Sequence, residues 1–403
     1  MKKFVYLCGM MLLSMNMMAQ IDLNDMNWRN PLHEDFTLLG RTWNSNSFLS
    51  SDGYWRGYPG SGVTHGNEKQ VYQFTQCHFN DLEETMELVA EFDSAKRIPH
   101  NNYYLPSWMW PSNGGDGYPS SDGLYYFSGE IDYVNYNFNT NETEKFLYGY
   151  FEIRCKLPAH RGAFPAFWLH GSSKDSLDPY YEEIDIFEYT WSISDPYGWH
   201  WNYSNPHPTY AGDPWVISTG IYHNLHGNGC VPNDDAYARN YPRLNGSLDV
   251  SGWHTYSCEW MPDHVYWFLD GNLVNSYYDV MHIPRHPMTL KTDYCINRYA
   301  LENYYDNGQP EWMGRGVMTI DYINVYQLEW DCETDETITC QSDLDGFDFA
   351  VKKNISVTSS VDEPIVSSSD KVTFRVTDSF EITGQFQADS GCEFTVIRQN
   401  CPE

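Results

Sequence analysis

The segment Glu183-Ile184-Asp185-Ile186-Phe187-Glu188 sets three carboxylates among large apolar residues that would anchor their backbone. Carboxylates grouped in this way suit two kinds of chemistry. One group can attack an anomeric carbon while another protonates the departing oxygen, as in a retaining glycosidase, whose two carboxyl groups lie about 5 to 5.5 Å apart. The other is calcium binding, which also favours grouped acids. On the first reading Glu183 is the nucleophile and Glu188 the acid/base. Asp185 between them would hold the nucleophile by a hydrogen bond and raise the acid's pKa through its negative charge, so that the cluster titrates as a unit.

A strictly alternating strand does not achieve this. Glu183, Asp185 and Phe187 would share one side and Glu188 would point to the other; one extra residue near Ile186 or Phe187, a β-bulge, turns Glu188 back. The chain also carries an internal comparison. Glu130-Ile131-Asp132-Tyr133-Val134-Asn135 opens in the same way but has Asn where the proton donor would stand, so Glu-Ile-Asp alone is weak evidence. Trp168 is either a flat platform for a sugar ring or a core residue. His223, His226 and Cys230 have a loosely metal-like spacing, but structural zinc sites bring two close pairs. No cofactor is expected; a structural calcium is possible but not indicated.

The elements that must position these residues read as strands. From Val71 to Tyr326 short runs of Val, Ile, Tyr, Phe and Trp are broken by Gly, Pro, Asn and Asp, an all-β signature. Strands are expected at Met86 to Phe92, Tyr148 to Leu157, Trp253 to Trp260, Val265 to Leu269 and Met318 to Tyr326, and no long amphipathic helix is visible. Repeated strands without alternating helices argue for a two-sheet sandwich or jelly roll whose concave face carries an open groove. Two stretches, Tyr103 to Gly123 and Tyr189 to Asn245, read as long ordered insertions shaping that groove.

Several of these segments together resemble family 16 of the glycoside hydrolases, in its laminarinase-like branch. Glu183 to Glu188 is similar to the family's six-residue, bulged catalytic strand. Ser128-Gly129, Tyr148 to Arg154 and Pro165-Ala166-Phe167-Trp168-Leu169 are similar to the strands leading into it. Asn67 to Tyr72 resembles an early cleft strand, and Trp253 to Trp260 with Asp270-Gly271 a following hairpin. The resemblance covers roughly residues 25 to 328. It implies a β-jelly roll with a concave cleft, endo-action on β-linked polysaccharides with retained configuration, and no catalytic metal. It also implies cleft contacts from Asn67, Phe164, Trp168, Trp191 and His223. Phe164 departs from the family's usual Trp, and Trp191 lies in the long insertion, so the sugar pocket is expected to be remodelled. A β-1,3- or mixed-linkage glucan is the first expected substrate. A β-galactan of agar, porphyran or poly-lactosamine type is the second, and a carbohydrate-binding surface protein without chemistry the third.

The remaining features bound the setting. Lys2 and Lys3, the apolar run Phe4 to Met18 and then Ala19 have the layout of a cleaved secretory signal over residues 1–19. The formal charge of −31 makes nucleic acid and anionic membranes poor partners and favours neutral polymers. Aromatic residues make up 17% of the chain, with 32 Tyr and 15 Trp, which fits either an aromatic-rich β core or rings that stack on sugar faces. The expected organisation is a catalytic jelly roll over 20–330 and a small β module over 341–403, which has neither Trp nor Tyr. The protein is expected to act as a monomer, secreted, periplasmic or on the surface of a bacterium. Close spacing suggests disulfides Cys332–Cys340 and Cys392–Cys401, while Cys155 and Cys258 read as buried thiols.

Overall fold

The computed structural model describes residues 28–45, 47–57, 70–92, 126–135, 145–160, 163–171, 182–190, 220–227, 238–240, 249–296, 314–359, 363–368 and 371–402. The expected signal segment, Asn67, Trp191, Cys230 and the first insertion at 103–123 lie outside these residues. Among the described residues no helix is long and apolar enough to cross a membrane.

The fold is an all-β jelly-roll sandwich with a small β module at its C-terminal end. One sheet runs in the order Ala238–Asn240, Gly220–Gly227, Glu182–Thr190, Ala163–Gly171, Thr289–Ile296, Glu130–Tyr133, Trp55–Gly57, with each neighbouring pair antiparallel. The other is centred on Gly149–Lys156 and Arg315–Leu328, flanked by His254–Trp260, Val265–Leu269 and Asn272–Tyr277 on one side and by Thr85–Phe92 on the other. The strands expected from sequence are all found. The second insertion differs: Gly220–Gly227 and Ala238–Asn240, inside the stretch read as a loop, pair onto the first sheet. Ala238–Asn240 is a three-residue edge strand, and Gly220–Gly227 mixes its few apolar residues with Gly, His and Asn, so neither stands out as a strand in the sequence.

Period-two alternation builds the core. Phe151, Ile153 and Cys155 of one sheet face Phe167, Leu169, Ile184, Ile186 and Phe187 of the other, and all are buried in one cluster. The Phe187 and Tyr256 rings meet across the sandwich at 4.6 Å. Burying a side chain of this kind contributes about 1.5–3 kcal/mol. At Gly149, φ is +137° and an added Cβ would lie 2.6 Å from the Tyr326 carbonyl oxygen, so the entry to Gly149–Lys156 admits only glycine. Cys155 and Cys258 are buried free thiols, as expected.

The module differs from expectation in three respects. Its sheet starts at Trp330–Ile338 rather than after 340. The strands Trp330–Ile338, Val351–Val357, Lys371–Ile382 and Glu393–Arg398 are parallel throughout, with Lys352 paired to Val376 and Val376 to Arg398. The short strands Ile365–Val366 and Gln387–Ala388 also pair in parallel, giving a coil of stacked rungs around Phe347, Phe349, Phe374 and Val357. Finally, the disulfide joins Cys332 to Cys401, and Cys340 and Cys392 are free thiols. Proximity in sequence misled here because the tail returns across the coil, with the Gln399 N–H donating to the Val376 carbonyl.

The module docks on the face of its neighbouring sheet that points away from the core. Trp28, Tyr150, Met261, Tyr266, Phe268, Leu328 and Val351 form one buried cluster there. The amide of Asn400 donates to Asp263 at 3.2 Å. Beside it His264 is held between Asp263 (2.7 Å) and Glu259 (3.5 Å) and stacks on Tyr266 at 4.1 Å. Burial alone would lower its pKa, but the two carboxylates override it and push it up to about 9. A folded pKa above the unfolded value of 6.5 stabilises fully below pH 6.5 and ceases to do so as pH rises through 9. His264→Gln is therefore expected to lose up to about 3 kcal/mol at pH 6 and almost nothing at pH 10, measured by urea unfolding at both pH values.

Candidate active site

The strand Glu182–Thr190 lies between Ala163–Gly171 and Gly220–Gly227. Against the first, Glu183 pairs with His170, Asp185 with Trp168 and Glu188 with Ala166. Against the second, Asp185 pairs with Asn224 and Glu188 with Tyr222. From Asp185 to Glu188 the strand advances three residues while each neighbour advances two. The register shift falls at Ile186 and Phe187, where a bulge was expected. Residues 166, 168 and 170 share one face by alternation, so Glu183, Asp185 and Glu188 share it too. Ile184, Ile186 and Phe187 fill the core side, each at most 1% exposed.

Two contacts fix this strand in place. The Trp267 indole N–H, from the opposing sheet, donates to the Asp185 carbonyl at 2.9 Å, directly at the irregular step. At the start of the strand, buried Glu182 accepts backbone N–H bonds from Arg285 (3.1 Å) and His286 (3.0 Å), with the His286 ring at 3.1 Å. Glu183 and Glu188 are half-buried, whereas Asp185 is 3% exposed.

The same face continues across the sheet. Trp168 pairs with Lys291, Lys291 with Asp132, and Asp132 with Arg56, while Ala166 pairs with Asp293. Lys291 Nζ lies 2.8 Å from Asp132, 3.2 Å from Glu130 and 5.3 Å from the centre of the Trp168 ring. Arg56 meets Asp132 at 2.7 Å. Burial alone would raise the Asp132 carboxyl; Lys291 and Arg56 outweigh it and hold the group below the ordinary carboxylate range. The second Glu-Ile-Asp segment is thus an ion-paired neighbour of the first. The Tyr72 hydroxyl donates to Asp293 at 2.6 Å.

The residues named from sequence divide as follows. Trp168, 8% exposed, sits on the carboxylate face beside Asp185. Phe164 is on the same strand at 6% exposure, grouped with Tyr72 and Cys295. His223 corrects the expectation of a cleft contact: it is 2% exposed and stacked on the core residue Trp267 at 5.8 Å. It lies opposite the bulge, between the residues that pair with Asp185 and Glu188, and so faces the core. Burial depresses its pKa to about 3, so the ring is neutral at physiological pH. His254 is a satisfied structural residue, bonded to Asp270 at 2.7 Å and the Asp249 carbonyl at 3.1 Å. Among the described residues no group of three or more His, Cys, Asp or Glu could hold a metal ion. Glu182, Lys291 and Asp293 were missed from sequence. The period-two polar positions in Leu290-Lys291-Thr292-Asp293 carried the signal for the last two.

The model of the glycosyl hydrolases family 16 matches residues 122–206 and 211–324, a span that holds both Glu-Ile-Asp segments. The chain belongs to this family. Its similarity to an endo-1,3-1,4-beta-glycanase, EglC of Rhizobium meliloti, is 24% identity over 215 residues, covering 53% of this chain and 37% of that protein. A beta-glucanase of Rhodothermus marinus is 27% identical over 149 residues, covering 35% of this chain and 42% of that protein. The chain therefore spans less than half the length of either of these relatives. A solved structure reported for endo-acting O-glycanases of the human gut microbiota that initiate mucin breakdown matches in fold, with a TM-score of 0.50 and 20% identity over 75% of this chain and 91% of that one.

Because Glu182 ties the loop at 285–286 to the strand through two backbone bonds, Glu182→Ala leaves two half-buried N–H donors without their carboxylate acceptor. The variant is expected to lose about 2–4 kcal/mol of stability in urea unfolding, and to do so with Glu183 and Glu188 still present.

Proposed function

We propose that the chain is a secreted retaining endo-β-glycanase that hydrolyses internal bonds of a neutral β-linked polysaccharide, a β-1,3- or mixed-linkage glucan in the first instance. The observation that carries this reading is the three-for-two register step, which brings Glu183, Asp185 and Glu188 to one face of the sheet. Family membership and the glucan-degrading names of the curated relatives support it.

In this reading Glu183 attacks the anomeric carbon as Glu188 protonates the glycosidic oxygen. A glycosyl ester forms on Glu183 while the leaving chain departs as an alcohol. Glu188, now a carboxylate, takes a proton from water, which attacks the same carbon, breaks the ester and restores both groups. Asp185, the most buried of the three, orients Glu183, and its proximity favours the protonated form of Glu188. Trp168 offers the sugar a flat apolar surface next to the carboxylates, with Phe164, Asn67 and Trp191 as further contacts of the chain. The enzyme acts alone, without a cofactor, as a monomer. The module over 341–403, together with the strand from Trp330, is an accessory unit remote from the cleft.

A second reading, cleavage of a β-galactan or poly-lactosamine chain, rests on Phe164, where the family usually has Trp, and on the insertion that holds Trp191. One panel separates them: laminarin, lichenan, agarose, porphyran and a keratan-type chain, with products read by chromatography and mass. Oligosaccharides from laminarin or lichenan are expected; products from a galactan alone would replace the first reading with the second. Glu183→Gln is expected to lower turnover by at least about a thousandfold with polymer binding retained. Glu188→Gln should lose polymer cleavage but act on an activated aryl glycoside when azide is added. Full polymer activity in either variant would remove the assignment.

A further inference from the structure

We infer that Lys291 is a positioning residue for substrate binding, fixing the Trp168 ring beside the carboxylates. This inference rests on the proposed glycanase reading only for its substrate. The clamp itself is a matter of geometry.

Lys291 is 6% exposed and occupies the middle of the cleft sheet. Taking an ammonium out of water costs several kcal/mol, and the neighbouring side chains of this strand, Leu290 and Thr292, are buried without charge. Apolar residues at 291, 130 and 132 together would pack there at lower cost, so stability alone does not explain the cluster. Its surroundings are built for it: Glu130 and Asp132 are both fully buried on the adjoining strand, at 3.2 and 2.8 Å. Asp132 is in turn held by Arg56 at 2.7 Å. Pinned in this way, the ammonium stands over the Trp168 ring at 5.3 Å.

The cross-strand register makes the consequence specific. Trp168 is flanked by Lys291 on one strand and by Asp185 on the other, with His170 edge-on at 5.4 Å. A desolvated cation over an indole is among the stronger forms of this contact, and a long lysine locked by two carboxylates cannot drift from it. Among the described residues the cluster sets Arg56 and Lys291 against Glu130 and Asp132, with Asp293 paired beside Glu130 on the same face, so the lysine's charge is met locally. Its effect therefore falls on the adjacent ring more than on the carboxylates one strand beyond. Fixing a stacking surface before substrate arrives lowers the ordering cost of binding. Binding, and not the chemical step, is what Lys291 controls.

The test uses the full chain labelled with 5-fluorotryptophan, with the Trp168 fluorine resonance assigned by Trp168→Phe. In Lys291→Met that resonance is expected to broaden or split, and in Lys291→Arg, which keeps a cation, to stay sharp. On whichever panel polymer is cut fastest, Lys291→Met should raise KM about tenfold with kcat within about twofold, and Lys291→Arg should restore KM. If Lys291→Met fails to fold because two carboxylates lose their partner, the pair Lys291→Met with Asp132→Asn removes both charges and is read in the same way. An unchanged Trp168 resonance in a folded variant overturns the clamp. So does a fall in kcat with a displaced pH profile and unchanged KM, since Lys291 would then act on the carboxylates. If the unaltered protein cuts none of the polymers, the glycanase reading fails and the fluorine resonance alone decides the clamp.

Discussion

The irregular step at Ile186 and Phe187 is the constraint on which the site depends. A regular strand would turn Glu188 into the core and Phe187 out of it, and an unpaired carboxylate in the core costs several kcal/mol. Advancing three residues against two on both neighbours at once removes that conflict, keeping Ile184, Ile186 and Phe187 buried and returning Glu188 to the polar face. Such an extra residue sacrifices ladder bonds and needs support. The Trp267 indole supplies it from across the sandwich, through its bond to the Asp185 carbonyl, and His223 stacks against that indole. The buried neutral histidine is therefore part of the scaffold beneath the bulge, even though it is not a contact of the cleft.

The sheet that carries the carboxylates has two chemically opposite faces. Its inner face is close to uniformly apolar, with Ala163, Phe167, Leu169, Leu290, Tyr294 and Ile296 in one cluster. Its outer face alternates acids, bases and rings: Glu130, Asp132, Trp168, Lys291 and Asp293. Burying so many charges works against stability, and this cluster lies on the strands next to Asp185. Ion pairing keeps each charge compensated while the face remains polar enough to meet a hydroxyl-rich ligand.

The C-terminal coil solves a separate problem. The face of the second sheet opposite the core displays Tyr150, Tyr266 and Phe268, which a lone sandwich would leave in water. The coil covers them with Trp330 and Val351. Its own core is small, and the link from Cys332 to Cys401 closes 69 residues of chain, which limits the freedom of the unfolded segment. Asp263, which accepts from the Asn400 amide, and His264 beside it sit on the opposite side of the sandwich core from the Glu182–Thr190 strand.

What the sequence determined was local. Period-two alternation in Phe151, Ile153 and Cys155, or in Val265 and Trp267, marks strands and their inner faces because side-chain direction follows from neighbours one and two residues away. The three acids of Glu183 to Glu188 were legible for the same reason, as was the need for one extra residue among them. What only the tertiary structure decided was register between strands distant in the chain. Lys291 meets Asp132 and Trp168 across 159 and 123 positions, Trp267 meets Asp185 across 82, and neither pairing leaves a trace in local pattern. His223 could face either way until its partners were known, since a shift of one residue reverses every side chain of a strand. The parallel coil and the pairing of Cys332 with Cys401 were hidden for the same physical reason: alternation states which face is buried but not which strand lies alongside.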